Sequence, residues 1–500
     1  VVLAAPELDD RGNVLEVGAG TGQLALQVLR SLAERKQLPQ RYFILELSAE
    51  LQQRQRELLT REMPGLVDRV EWLTALPQGF RGAIIGNEVL EQWSDAKADT
   101  LTLEQANLIL NFGHDQSMLA KEGEMSVNSL LTKKLADMVK ALDSTRPVTA
   151  GCNEPNPNNH LFRSGALDLI GFNYHDDWFA GVPEKFPGKP FIVAESVSAL
   201  MTRGYYRMPS DETVICPERW DKSYFDDSFS CSSYDNCHVP WGNSHEGTMR
   251  HVKNNDFISG QYVWTGFDYL GEPTPYGWPA RSSYFGIVDL AGFPKDVYYM
   301  YQSEWTSKDV LHVFPHWNWE KGQEIDIWAY YNNADEVELY LNDVSLGKRS
   351  KQGEDMHVVW RVKYEPGTLK AISRKEGKMV LTKEIKTAGT PVAARLTADR
   401  SEIKANGKDL SFVTVELLDK DGNPCPLADQ LVKFTIEGEG FIAGTDNGDQ
   451  NDHNSLKKPE RHLFFGKCLA IVQNTGKTGE IVLKAEVEGL PAKTIKLFAK

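Results

Sequence analysis

Two glutamates occupy positions where a carboxylate can do work. Glu88 follows the apolar run Ala83–Gly86 in the string IIGNEVLEQW, and Glu195 closes Pro190–Ala194 in KPFIVAES. A solvated surface acid is out of pattern at the mouth of an apolar strand. Two carboxyl groups held ~5.5 Å apart by different strands can divide the labour of a double displacement, one keeping a proton and the other ionised. Strand-end acids also serve as caps, and Asp176, Asp177 and Glu272 sit near strand ends as well.

A second set lies near the start. The strand candidate Asn13–Val17 runs into the glycine-rich stretch Gly18–Gly22, and Glu46 closes the next strand. Glycines let a ligand approach the backbone, and an acid after the second strand can hold ribose hydroxyls. Six cysteines are few for this length, and with no CxxC pair a structural zinc site is not expected. Cys231 and Cys237 share one polar loop, where they could pair in an oxidising compartment or stay thiols. Asp446–Asp452 (DNGDQND) lacks the spaced acids and closing Glu of a calcium loop and reads as an exposed turn. The reading therefore assigns no metal.

The elements that must position these groups come in three styles. Up to residue 85, strands and helices alternate: Asn13–Val17, a helix with Leu24, Val28 and Leu32 on one face, Arg41–Glu46, a polar helix Leu51–Arg61, Arg69–Leu73 and Ala83–Gly86. This is a βαβ pattern with a parallel sheet. From Asn87 to about Trp305 the alternation continues with longer inserts. It includes a helix at Val127–Leu142 and strands at Pro147–Gly151, Leu167–Asn173, Pro190–Glu195 and Ile258–Trp264. Short apolar strands ending in polar residues suit a (β/α) barrel, whose catalytic groups sit at C-terminal strand ends. Beyond Val310 the period becomes two, as in Glu324–Tyr331, Glu336–Leu341 and Ser411–Leu418, which predicts two β-sandwiches joined near Thr387–Pro391.

The 500 residues call for several domains. A formal charge of −15 argues against nucleic acid or an anionic membrane as partner, and no run reaches the ~20 apolar residues of a membrane helix. Nine of the twelve tryptophans fall between Trp93 and Trp319, which suits stacking on sugar faces and equally suits core packing. The chain opens on Val1 without initiator Met or signal-like segment, so a preceding stretch with any targeting signal is expected to be missing or processed away.

The strings IGNE, RPVTAG, GFNY, PFIVAES and QYVWTGFDYLGEPTPYGWPARSSYFGIVDLAGFPKD occur in that order. Their order and spacing resemble glycoside hydrolase family 2, the β-galactosidase and β-glucuronidase family, from about Gly86 to Lys500. The WTGFDYLGEP block is the most specific piece. The resemblance implies Glu88 as general acid/base after the fourth barrel strand, with Asn87 on the sugar 2-hydroxyl. It implies Glu195 as nucleophile, Tyr174 bonded to it, and Trp264 stacking under the sugar. It further implies a periplasmic or secreted enzyme that takes a glycoside or oligosaccharide and uses no cofactor. Its C-terminal sandwiches would be immunoglobulin-like.

That family should carry a jelly roll, a sandwich and the first barrel strands ahead of the acid/base. Instead VLEVGAGTG, RYFILELSAELQQRQRELL and RVEWLTALP resemble a class I S-adenosylmethionine-dependent methyltransferase, of the family of the mitochondrial complex-I assembly arginine methyltransferase. Under that alternative Glu16, Gly18, Gly20 and Glu46 would line the cofactor site. The methyltransferase family continues with a string similar to NEVLD, and this chain reads NEVLE at Asn87–Glu91. The switch thus falls inside a shared string, as a recombination or an assembly error would produce, and the chain reads as a chimera.

The expected organisation is a methyltransferase-like βαβ segment (1–85), a hydrolase barrel portion (86–308) and sandwiches at 309–388 and 391–500. The fold class is multidomain α/β plus all-β, with a Rossmann-like start running into a partial or hybrid (β/α)8 barrel. The leading function is a retaining, β-galactosidase-like glycosidase, with loss of activity through the replaced front as one expected consequence. A methyltransferase and a non-catalytic carbohydrate-binding protein are the alternatives.

Overall fold

The first unit, residues 1–128, is built on four parallel strands: β1 (Asn13–Val17), β2 (Tyr42–Leu45), β3 (Val70–Leu73) and β4 (Gly82–Gly86). The computed structural model describes residues 13–17, 22–34, 36, 38–46, 49–74, 82–86, 126–219, 222 and 224–500. Helices α1 (Gln23–Glu34) and α2 (Ala49–Glu62) connect the first three strands. Ala25, Leu26 and Leu29 of α1, with Leu58 and Leu59 of α2, bury against Val14, Tyr42, Ile44 and Val70. The order is β3-β2-β1-β4, with β1 inside. A barrel wall keeps its strands in chain order, whereas a crossover to either side of the first strand gives this doubly wound order. The expectation of a hybrid barrel, which would need these four strands in sequence, is therefore corrected for this sheet.

The second unit covers residues 129–500. Helix α3 (Val127–Leu142) spans the residues its apolar spacing predicts. Ser129 and Ala136 are buried, while Leu130, Met138, Val139 and Leu142 are exposed. Four parallel strands follow: β5 (Gly151–Cys152), β6 (Ile170–Asn173), β7 (Phe191–Val197) and β10 (Ile258–Trp264), in the order β10-β7-β6-β5. Between β7 and β10 lie the two-residue strands β8 (Val214–Ile215) and β9 (Cys237–His238) and helix α4 (His245–Lys253). The strand expected at Pro147–Gly151 is reduced to Gly151–Cys152. Val148 N donates to Asp168 Oδ2 at 2.8 Å instead of to a ladder. Behind the sheet Phe172, Phe179, Phe186 and Phe191 pack edge to face.

Two β-sandwiches complete the unit. The first pairs Leu311–Phe314, Glu324–Tyr331 and His357–Lys363 in one sheet. Its second sheet holds Val344–Arg349, Glu336–Leu341, Thr368–Lys375 and Lys378–Lys386. The second, from Ala393 to Ala499, has a four-stranded and a five-stranded sheet. Alternation drives both: Ser411–Leu418 turns Val413, Val415 and Leu417 inward to complete burial. The stretch expected as an exposed turn is corrected, because Asp446, Asn447 and Gln450 are buried. It is covered by the segments that flank the β10-β7-β6-β5 sheet: Arg203 Nη2 donates to Asn447 O at 2.9 Å, and Arg281 N donates to Gln450 O at 2.9 Å. Among the described residues no helix is long and apolar enough to cross a membrane.

Candidate active site

Glu195 stands at the C-terminal end of β7, and a break in the ladder aims it. Phe172 of β6 pairs with Val193 of β7, yet the next residue, Asn173, pairs with Glu195. On the other edge Val193 pairs with Gln261 and Ser196 with Val263, three steps against two. Ala194 is the extra residue of a bulge, the device that re-aims a side chain at a sheet edge or site. The strands β6 and β7 end in left-handed backbone, at Tyr174 (φ +56°) and His175 after β6, and at Val197 (φ +77°), the last residue of β7, and Ser198 after it. Non-glycine residues adopt this conformation rarely, and it lets consecutive side chains converge.

The Glu195 carboxylate is gripped on both oxygens. Tyr174 OH donates to Oε2 at 3.0 Å, and Asn173 Nδ2 donates to Oε1 at 3.1 Å. Ser198 Oγ donates to the Tyr174 hydroxyl at 3.0 Å, which leaves the tyrosine proton for Glu195. Burial raises the Glu195 carboxyl above the ordinary range, and the bonds from Tyr174 and Asn173 pull it back toward ionisation. The Tyr174 hydroxyl is itself pushed up, by burial and then by the Glu195 charge, so it stays a donor.

Trp264 ends β10, half-buried, with the ring of Tyr269 set edge-on at 5.9 Å. The Tyr269 hydroxyl donates to Glu272, whose charge reaches Tyr174. Of the other acids near strand ends, Asp176 accepts from Asn243 Nδ2 at 2.7 Å and Thr248 Oγ1 at 3.3 Å, an internal tie to α4, and Asp177 is exposed. The structure therefore brings Glu195, Tyr174 and Trp264 to one strand-end face, joined by Asn173, Ser198, Tyr269 and Glu272. Sequence reasoning missed Asn173 and Ser198. Asn173 lies within the GFNY string, but strand alternation would send it away from the face Tyr174 uses, and only the left-handed turn reverses that.

Glu88 and Asn87 lie outside the described residues, as do Gly18 and Gly20. Glu16 and Glu46 are described and buried. Tyr42 OH donates to Glu16 Oε2 at 2.7 Å, and burial raises the Glu16 carboxyl despite that bond. Gln55 Nε2 reaches Glu46 Oε2 at 3.5 Å, and Gln52 donates to the Glu46 carbonyl at 2.7 Å. A separate cleft of about 690 Å³ is lined by Tyr206, His316, Trp319 and Phe465. It shares no residue with the Glu195 cluster.

Residues 395–496 match a family model described as glycoside hydrolase family 2 C-terminal domain 5, and residues 322–381 match a domain of unknown function. The chain is 68% identical over 416 residues to the β-galactosidase BoGH2A of Bacteroides ovatus, an alignment spanning 83% of this chain and 49% of that protein. The C-terminal part of the chain belongs to glycoside hydrolase family 2. The crystal structure of a β-glycosidase from Bacteroides vulgatus superposes with a TM-score of 0.66 at 25% identity, over 99% of this chain and 64% of that one. A family 2 member from Bacteroides cellulosilyticus shares the fold, with a TM-score of 0.62 at 23% identity over 99% of this chain and 62% of that one. The chain thus spans about half the length of that β-galactosidase. Residues 3–94 match a model described as an S-adenosyl-L-methionine-dependent methyltransferase, which supports reading the chain as a chimera.

Proposed function

We propose that the family 2 portion is a retaining β-glycosidase, galactosidase-like, that cleaves O-glycosidic bonds by double displacement. Glu195 attacks the anomeric carbon and forms a glycosyl ester, while Glu88 gives its proton to the departing oxygen. Glu88 then takes a proton from water, which attacks the same carbon and frees Glu195. Asn87 holds the sugar 2-hydroxyl, Trp264 stacks under the ring, and Tyr174 keeps Glu195 ionised. No cofactor enters these steps. The observation that carries the reading is the double grip on Glu195: a nucleophile must be ionised, and two donors offset the cost of its burial. The 68% identity to a protein named β-galactosidase supports the galactoside preference.

The parallel run β10-β7-β6-β5 in chain order supports reading it as half of a (β/α)8 wall. Within this proposal the barrel portion is 86–308, and immunoglobulin-like sandwiches at 309–388 and 391–500 support it. The front that would carry the sugar-selecting loops is replaced, so turnover is expected to fall far below that of an intact family member. The test is hydrolysis of an aryl β-galactoside followed by proton NMR. Release of the β-anomer first, lost in Glu195→Gln, supports the proposal. The α-anomer first, or equal rates in both proteins, refutes it, and no turnover refutes activity.

A second reading concerns the first unit. The match over residues 3–94 and the β3-β2-β1-β4 order favour an S-adenosylmethionine site, with Glu16, Gly18, Gly20 and Glu46 along it. Calorimetric titration with S-adenosylmethionine decides it, and a flat titration removes it.

A further inference from the structure

The sulfurs of Cys216, Cys231 and Cys237 all lie within 4.8 Å of one another, and Cys216 Sγ is 3.1 Å from Cys237 Sγ. This overturns the picture of two cysteines on a polar loop, since all three are buried. They arrive from separate points of the chain. Cys216 follows β8, Cys237 opens β9, and those strands pair in parallel, Val214 with Cys237. Cys231 is tied to Thr202 by two bonds, Thr202 N to Cys231 O at 2.8 Å and Cys231 N to Thr202 Oγ1 at 3.1 Å. Leu200, Val239, Tyr276, Tyr284 and Phe285 wall the trio in.

A buried free thiol packs as a small hydrophobe and gains nothing by facing two others. Three sulfurs converging from three places is the arrangement that coordination requires. We propose that Cys216, Cys231 and Cys237 bind a thiophilic d10 cation of the zinc class through three thiolates. Sulfur donors select such soft or borderline ions over magnesium and calcium. Among the described residues no histidine or carboxylate completes the set, so a fourth position falls to water. One divalent ion with three thiolates carries a net charge of −1, and the positive field of Arg207 reaches both Cys216 and Cys237.

The site braces the proposed catalytic strand. Leu200 N donates to Cys237 O at 2.8 Å and Val239 N to Ser198 O at 3.3 Å, and Ser198 is the donor to Tyr174. Trp264 and Tyr269 pack against the same cluster. A bound ion therefore fixes the segment that orients Tyr174, as a positioning element outside the reaction.

The test uses the full untagged chain, purified under reducing conditions from zinc-supplemented medium and analysed by mass spectrometry of metals. One zinc per chain is expected. Replacement by Cd2+ should give a sulfur-to-cadmium absorption band that saturates at one equivalent. Cys216→Ser, Cys231→Ser and Cys237→Ser should each weaken Cd2+ binding by at least tenfold, while Cys425→Ser leaves it unchanged. Circular dichroism of the metal-free chains shows that each variant is folded, and if one is not, the zinc content of the intact chain decides. Substoichiometric zinc with no cadmium band overturns the proposal. So does a Cys216–Cys237 disulfide in peptide maps of the reduced-purified protein.

Discussion

The hydroxyl of Tyr174 lies 3.0 Å from Oε2 of Glu195 and receives its own hydrogen bond from Ser198 Oγ. This three-residue relay joins the turn after β6 to Glu195 of β7 and to Ser198 just beyond it. It fixes which proton goes where: serine to tyrosine, tyrosine to carboxylate. The carboxylate of Glu195 is thereby stabilised in the charged form at a place where burial alone would favour the neutral acid.

Removing that donor should be visible in the pH profile. In the proposed mechanism Glu195 works ionised, so activity should fall as pH drops through its pKa. Tyr174→Phe removes a bond that lowers this pKa, so the acid limb should move to higher pH, by about half to one unit. The pH-independent rate should fall by roughly a hundredfold. Ser198→Ala should shift the limb in the same direction by less. The measurement is kcat/KM for an aryl glycoside from pH 4 to 9, and an unmoved limb in Tyr174→Phe contradicts the relay.

Gly151 should tolerate no side chain, for a reason that belongs to the site. A Cβ there would sit 2.4 Å from Asn173 Oδ1. Gly151→Ala should therefore push the Asn173 amide off Glu195, raising the carboxyl's pKa and cutting activity. Thermal stability should change little, because residue 151 is exposed on a two-residue strand. A variant that loses stability and keeps its pH profile would show that the contact is only packing.

Arg203 pins the last sandwich to the segment that follows β7. Its Nε is 2.6 Å from Asp289 Oδ2, with both side chains buried, and its Nη2 serves the carbonyls of Asn447 and Phe464 at 2.9 Å each. Arg203→Ala strands a buried carboxylate and those two carbonyl acceptors, so it should cost about 3–5 kcal/mol. Urea unfolding followed by tryptophan fluorescence should show an earlier transition, and an unshifted one contradicts the pinning role.

Asp235 gives stability an unusual pH dependence. It accepts from His245 N at 2.8 Å and Glu246 N at 2.7 Å, yet burial and then the charge of Glu246 push its carboxyl up to about 8. The folded state holds a proton that the unfolded chain releases near pH 4, so this group favours folding at low pH and its contribution is lost as pH rises from ~4 toward 8. Asp235→Asn should remove that slope by a few kcal/mol across the window. Denaturation midpoints at pH 5 and 8 test it, and parallel loss in both proteins contradicts it.

Much of the fold was legible in local pattern. Glu324–Tyr331, Glu336–Leu341 and Ile258–Trp264 form over the residues their patterns predict. Local pattern failed where tertiary contact decides. Asp168 takes the Val148 amide out of a strand, and Arg203 draws the polar turn at Asn447 into the interior. At the site, the acid and its tyrosine stand in recognisable strings, but Asn173 and Ser198 depend on a bulge and on left-handed residues that no periodicity encodes. The cysteine trio was hidden because its members lie apart in sequence and meet through the pairing of β8 with β9 and the bonds of Cys231 to Thr202.

The most direct test of the central claim, that Glu195 is poised as a nucleophile, is trapping with 2,4-dinitrophenyl 2-deoxy-2-fluoro-β-galactoside. The dinitrophenolate leaves without a proton, so the outcome does not depend on Glu88, and the fluorine slows hydrolysis of the ester. The account predicts one fluoroglycosyl group per chain, mapped by peptide mass spectrometry to Glu195 and absent in Glu195→Gln. Label on another carboxylate such as Glu272, or no label on a folded sample, would contradict it.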